Sequence, residues 1–482
     1  MSHNHSPAPP AARPSAHLAS VRAALGALVD TLTPRFDFFS VLATDCAGTN
    51  FEALPGERRA AESMWTERGF VVRAVRGGRV VERSFDSLGS DDIGRFADAL
   101  TAELETLLAA ASPEGFLSVD LAAEADRAVW YPEVSLDPFD LSPGEILDRL
   151  EAIRLRTAAA SPLIAMARTR AEWARFSKLY LSSRREFEQS YLWGQAYVFA
   201  AARRGEATRQ IFDAASGLKG AELLDELEAF PGPVAALAVE LLDAGPIEPG
   251  EHVVVLSPEV AGMLAHEAFG HGVETDMMVK GRSKAADFVG RRVGSPLVTM
   301  RDGARSAEQT GTFLFDDEGI RGTSTLVLEE GILRSGISDL LSARELGLPA
   351  TGNGRRWSFE RKAYARMTNT FFEAGTSRPE DLVAGVKSGW LLERPNSGME
   401  DPKNWGIQLV ALVGREIKDG KLTGRIASPV VCTGYVPDVL SAVDAVSDRV
   451  VLKGNGYCGK GYKEFVKVSS GSPWMRTKMR LG

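Results

Sequence analysis

Two of the six histidines in this 482-residue chain flank a carboxylate in the run His266-Glu267-Ala268-Phe269-Gly270-His271. A pair of imidazoles can hold a zinc ion, and a glutamate beside the first can take a proton from a metal-activated water. In the common zinc-peptidase helix the histidines stand at i and i+4, on one face. Here the second is at i+5, so an ideal α-helix would point the two roughly 140° apart. Convergence on one ion requires the helix to widen by a residue, as in a π-bulge, or to unwind near its end. Gly270 and Gly272 flank His271 and tolerate either geometry.

A catalytic two-histidine zinc site takes a third protein ligand and leaves one position open. His252 lies in a predicted strand, too close to the helix start to serve. Cys432, in SPVVCTGYV, reads as a small core residue, and Cys46, in TDCAGTN, lies at a predicted turn. Cys458 sits in KGNGYCGKG, between glycines and two places before Lys460. Glycine lets the backbone approach an ion, and nearby positive charge favours the thiolate. From spacing alone it is a candidate third ligand, with an ordinary turn cysteine as the alternative. Glu274 and Asp276 are candidate acceptors for the imidazole N–H groups, or members of a solvated acidic turn.

The elements that must position these groups follow from periodicity. Strand 252–256 leads through Ser257-Pro258 into a helix over about 258–271, with Ser257 as cap and proline in the first turn. The candidate ligands therefore fall at its C-terminal end. From about 296 onward, short strands and glycine turns predict a mostly antiparallel sheet or open barrel, with helices at about 339–346 and 379–389. Upstream, helices are expected over 17–33, about 90–111, 143–159 and about 220–243, the last interrupted by Pro231 and Pro233. Strands are expected at 36–43, 68–76 and 78–86, the last two joined by Gly77-Gly78, and a strand-rich meander over 163–215. The fold class is thus α+β. A disordered tail over 1–16 precedes an N-terminal α/β domain with an antiparallel sheet over 17–225. A C-terminal domain over 226–482, built on a curved sheet or open barrel, carries the metal-binding helix.

Composition narrows the function classes. A net charge of −8 argues against a nucleic-acid binder driven by bulk positive charge. No apolar run reaches the ~18–20 residues of a membrane helix. The tail lacks the apolar core of a signal peptide. Three scattered cysteines suit a reducing compartment, so a cytoplasmic location is expected.

The run LAHEAFGHGVETD at 264–276 resembles the signature of the TldD/PmbA family of metallopeptidases, whose TldD-type catalytic subunits carry H-E-x-x-x-H. FLFDDEGIRG (313–322), EEGILRSGISDLLSARELG (329–347), TGNGRR (351–356), ARMTNTFF (365–372) and GYCGKG (456–461) resemble further blocks of that family in the same order. GFVVRAVRGGR (69–79) resembles its first domain more loosely. The resemblance implies that His266, His271 and Cys458 bind Zn2+ and that Glu267 is the catalytic base. It also implies subunits paired around a cavity, either as a homodimer or with a PmbA/TldE-like partner, and peptide substrates taken as extended strands.

Two segments depart from the family pattern: RPNSGMEDPKNWGIQ at 394–408, where many members carry a glycine-rich stretch, and the residues after Cys458. Either would reshape the substrate channel or the subunit contact. The function expected is zinc-dependent hydrolysis of unfolded or extended peptides. A metal-dependent amidase for a small or modified peptide is one alternative, and a peptide-binding subunit with structural zinc is another. Asn353, Arg355 and Asn369, in polar family-like blocks, are candidate substrate contacts or turn and packing residues.

Overall fold

The computed structural model describes residues 13–88, 92–111, 125–461 and 464–482. Most of the tail, residues 1–12, therefore lies outside the described residues. The remainder is fixed at its end: Ser15 caps the first helix by accepting from Leu18 N.

The N-terminal sheet is built from long strands: β1 (Phe38–Leu54), β2 (Glu57–Glu62), β3 (Glu67–Arg76), β4 (Arg79–Phe85), β5 (Asp126–Trp130), β6 (Ile164–Ser182), β7 (Arg185–Arg204) and β8 (Ala207–Gly217). Its order is β4-β3-β1-β6-β7-β5, with β2 paired to β1 and β8 to β7. Every pairing is antiparallel except β5 with β7. Gly77 and Gly78 make the predicted β3–β4 turn, both at positive φ, which a two-residue hairpin of matching twist requires.

Alternation along these strands sends two sets of apolar side chains to different helices. Phe39, Val41 and Ala43 of β1, with Phe70, Val72 and Ala74 of β3, pack under α1 (Ala16–Leu32) and α2 (Ile93–Ala110). Further along, Phe51, Trp173, Leu192 and Val198 pack under α3 (Pro143–Ala159), α4 (Leu223–Leu227) and α5 (Pro231–Glu240). The break between α4 and α5 falls where the prolines were expected to interrupt the helix. Cys46 departs from expectation. It is buried in the middle of β1 and paired with Phe176 and Glu67, because β1 runs on past the predicted strand end at residue 43.

The C-terminal half holds a closed barrel rather than an open one. Strand Ser388–Asp401 pairs with β9 (Gly250–Leu256), which pairs with Met475–Leu481, then Val430–Tyr435, then Gly406–Lys418. Gly406–Lys418 returns to Ser388–Asp401 along most of its length and closes the ring at five strands. A six-stranded sheet stands beside it, edged by Val451–Lys460, which pairs with Glu464–Ser472. Helix α6 (Pro258–Leu264) follows β9 directly. Val260, Ala261 and Leu264 are buried in one cluster with barrel residues Val254, Leu409 and Met475 and sheet residues Val466 and Val468. The helix is clamped between barrel and sheet, and its C-terminal end is delivered to the sheet edge that carries Cys458. The expected 379–389 helix is shorter, Pro379–Ala384, because Gly385 ends it and residues from Ser388 are drawn into the barrel.

The two halves are joined by buried charge pairs. Lys178 of β6 pairs with Asp317, and Arg73 of β3 bridges Glu82 and Glu318. Asp317 and Glu318 belong to the FLFDDEGIRG block, which secures the N-terminal sheet to the C-terminal half.

Candidate metal centre

Ser257 caps α6, accepting from Val260 N, and Pro258 occupies its first turn, as the sequence predicts. After Leu264 the helix widens: Ala265–Gly270 form a π-helical turn, followed by one turn of 3-10 helix over His271–Val273. The His271 N–H donates to the His266 carbonyl. That i→i+5 bond stacks His271 over His266 and cancels the divergence an α-helix would impose. The rings lie 5.2 Å apart, centroid to centroid, at 88°.

Gly270 plays a different part from the one expected. Its backbone has ordinary helical angles, φ −60° and ψ −61°. What it supplies is space, since a Cβ there would collide with the Met367 sulfur. Gly272 has only an ordinary contact with Trp405.

Cys458 arrives from the edge strand Val451–Lys460, its Sγ 3.4 Å from His271 Nε2. Donor atoms of His266, His271 and Cys458 all lie within 4.8 Å of one another, and all three residues are buried. With zinc–sulfur and zinc–nitrogen bonds of ~2.3 and ~2.0 Å in tetrahedral array, sulfur and nitrogen stand about 3.5 Å apart, so the 3.4 Å separation fits that ion. The electrostatics agree. Burial would raise the Cys458 pKa, but His271, Arg366 and His266 outweigh it and hold the thiol well below its usual range. Burial disfavours charged His266 and His271, yet the facing thiolate moves both pKa values up.

Glu274 orients His271 from behind, its Oε2 3.2 Å from Nδ1, which leaves Nε2 toward Cys458. Burial would raise this carboxyl, but Lys460, 3.0 Å away, and His271 hold it near 2. Asp276 does not reach an imidazole. It takes Lys460 at 2.6 Å and Lys280 at 3.2 Å, steadying the lysine that neutralises Glu274. Arg366, fully buried, donates to the Cys458 carbonyl at 2.6 Å and so fixes the strand beneath the thiol.

Glu267 points from the same π-turn into a cavity of about 400 Å³ that His266 also lines. Glu400, which sequence reasoning missed, lies across from it: donor atoms of Glu267, His271 and Glu400 fall within 4.8 Å of one another. Burial raises the Glu400 pKa to about 7, His271 opposes the shift, and the hydrogen bond and charge of Glu267 add to it. Glu400 belongs to the divergent 394–408 segment, whose barrel hairpin passes so close to the helix that a Cβ at Gly398 would come within 2.6 Å of Glu267 Cγ. No local motif marks it, because it reaches the site only through barrel closure.

The other candidates lie elsewhere. His252 sits in β9 and bonds Glu248 O. Cys432 is buried in the barrel wall. Asn353 is spent on Asp302 and the Arg366 carbonyl, and Asn369 on Gly303, Ala307, Thr312 and Ser469. Arg355 is spent on the Met367 and Lys467 carbonyls. All three are framework residues. No helix among the described residues is long and apolar enough to cross a membrane.

Comparison with known proteins agrees with this picture. Residues 249–481 match the PmbA/TldA metallopeptidase C-terminal domain. A metalloprotease of Methanocaldococcus jannaschii is 35% identical over 240 residues, 50% of this chain and 52% of that protein. A zinc metalloprotease TldD homolog of Saccharolobus solfataricus is 27% identical over 307 residues, 63% of this chain and 68% of its own length. The matched region spans about half the length of several of these curated relatives. The crystal structure of TldE from Thermococcus kodakarensis shares the fold, with a TM-score of 0.73 at 17% identity over 95% of this chain and 99% of that one. Residues 249–481, which carry the two histidines and the cysteine, are thus a C-terminal domain of the PmbA/TldD family.

Proposed function

We propose that this chain is a zinc-dependent peptidase acting on extended peptides, with His266, His271 and Cys458 as the metal ligands and Glu267 as the general base. The observation that carries the reading is the convergence of these three donors at a π-turn whose glutamate opens into a sizeable cavity. Zinc held there would polarise a substrate carbonyl and acidify a water. The Glu267 carboxylate accepts the proton of the attacking water and passes it to the leaving amine nitrogen. Glu400, when protonated, donates to Glu267 and holds its carboxylate in place. Glu274, through His271 Nδ1, keeps the imidazole in the tautomer that presents Nε2.

A cavity walled in part by the barrel hairpin and the sheet edge suits an extended backbone. Beyond its pairing with β9 at residues 389–392, the Ser388–Asp401 strand pairs, among the described residues, with Gly406–Lys418 alone, which leaves its second edge to a peptide strand. Pairing with a TldE-like subunit, or with a second copy, belongs to the same proposal and rests on the TldE likeness.

Metal removal tests the reading. The purified chain, alone and mixed with a TldE-type subunit, is assayed on an unfolded peptide before and after chelation. Cleavage that disappears with the metal and returns with zinc is expected, as is a gain on mixing if pairing completes the cavity. Undiminished cleavage by metal-free protein contradicts the proposal.

A further inference from the structure

The cavity in front of Glu267 is electrically divided. Its helix side carries Glu259 and Glu267, whereas Arg394 of the barrel hairpin and Lys453 of the sheet edge bring two cations to another part of its wall. Both face a single carboxylate: Arg394 Nη1 lies 2.6 Å from one oxygen of Asp213, and Lys453 Nζ 3.6 Å from the other. Lys453 also donates to the Ala214 carbonyl at 3.0 Å. Two cations against one anion leave this part of the wall with a net positive charge.

Arg394 is held there by backbone that a side chain seldom adopts, with φ at 57°. Non-glycine residues in the left-handed region persist where surrounding structure enforces them, commonly at ligand sites. The strand bulges just beyond, between Pro395 and Ser397, and the Lys453 strand bulges between Lys453 and Gly456. Both irregularities re-aim side chains next to the cavity.

We infer that Arg394 and Lys453 form a subsite for a substrate carboxylate, either a peptide C-terminus or an acidic side chain, and that it accompanies the peptidase reading above. A bidentate guanidinium contact suits a carboxylate, and Lys453 supplies the second charge. The register follows from the barrel strand. Gly398 lies beside Glu267, and Arg394 is four residues back, roughly 13 Å at the rise of an extended strand and somewhat less across the bulge. A carboxylate about three to four residues from the bond at Glu267 would reach it.

The test uses the full-length chain carrying Glu267→Gln and loaded with zinc, so that peptides bind without turnover. Dissociation constants are measured by fluorescence anisotropy for three neutral-cored peptides: one with a free C-terminal carboxylate, one amidated, and one amidated with a glutamate four residues from its centre. About tenfold tighter binding of at least one carboxylate-bearing peptide over the plain amide is expected, and the arm that gains identifies the source. Arg394→Gln brings the peptides to within about twofold of each other, Arg394→Lys restores part of the preference, and Arg394→Glu turns it against acids. Equal affinities, a preference that survives both Arg394→Gln and Lys453→Gln, or no binding of any peptide overturns the inference. Cleavage by the parent chain is measured alongside. Cleavage without discrimination sinks the subsite alone, whereas discrimination without cleavage leaves the subsite and sinks the peptidase.

Discussion

At the scale of single residues, Glu274 shows how the centre is tuned. It is buried, anionic and bonded to His271 from the side away from Cys458. It thereby fixes which imidazole nitrogen faces the thiolate. Glu274→Gln leaves a weaker acceptor at Nδ1, and zinc affinity should fall by about 10–100-fold in a chelator-competition titration. An unchanged affinity would show that the imidazole is oriented by other means. The candidate ligands were legible in the sequence, because histidine and cysteine are rare in this chain and stood at interpretable spacings, and Glu267 was marked by its place beside His266. Glu400 was not. It is one acidic residue among sixty-four Asp and Glu, and only the hairpin that folds it over Glu267 distinguishes it. For Asn353, Arg355 and Asn369 the sequence left substrate contact and a turn or packing role both open. Their hydrogen bonds favour the second role, since they satisfy buried carbonyls and carboxylates that would otherwise be stranded.

At the scale of elements, the π-turn decides whether the site exists. The i+5 spacing announced a deformation, and the structure places it over Ala265–Gly270, in the last turns before the chain turns away. Periodicity also located α6, its Ser257 cap and the α4–α5 break, all set by local chemistry. The length of β1 and the closure of the barrel escaped it, since both depend on partners distant in sequence. The role of Gly270 escaped for the same reason: it is fixed by Met367, 97 residues on in the numbering. Gly270→Ala forces a methyl against that sulfur and should cost about 1–3 kcal/mol in urea unfolding, through overpacking. Shortening the neighbour should relieve the clash. The double variant Gly270→Ala with Met367→Ala should then be more stable than the sum of the single losses by at least about 1 kcal/mol. Simple additivity would mean that Gly270 is needed for backbone freedom instead.

At the scale of the whole molecule, the long antiparallel sheet, the barrel and the edge strand bring three distant stretches of chain to one cavity. β8 contributes Asp213, the barrel hairpin contributes Arg394 and the edge strand contributes Lys453, while Glu400 and Cys458 of the last two stand among the donors around His271. Buried pairs such as Lys178 with Asp317 fasten the N-terminal sheet to the C-terminal half, so the cavity walls are held to one another. The divergent 394–408 segment lies at this junction, which is where a change of substrate preference would be written. In the proposed reaction Glu267 acts on a peptide beside a zinc ion held by His266, His271 and Cys458. It is tested most directly by the cleavage rate of Glu267→Gln at the same measured zinc content as the parent chain. Zinc should be retained while the rate falls by at least about 100-fold. An equal rate at equal zinc content would contradict it.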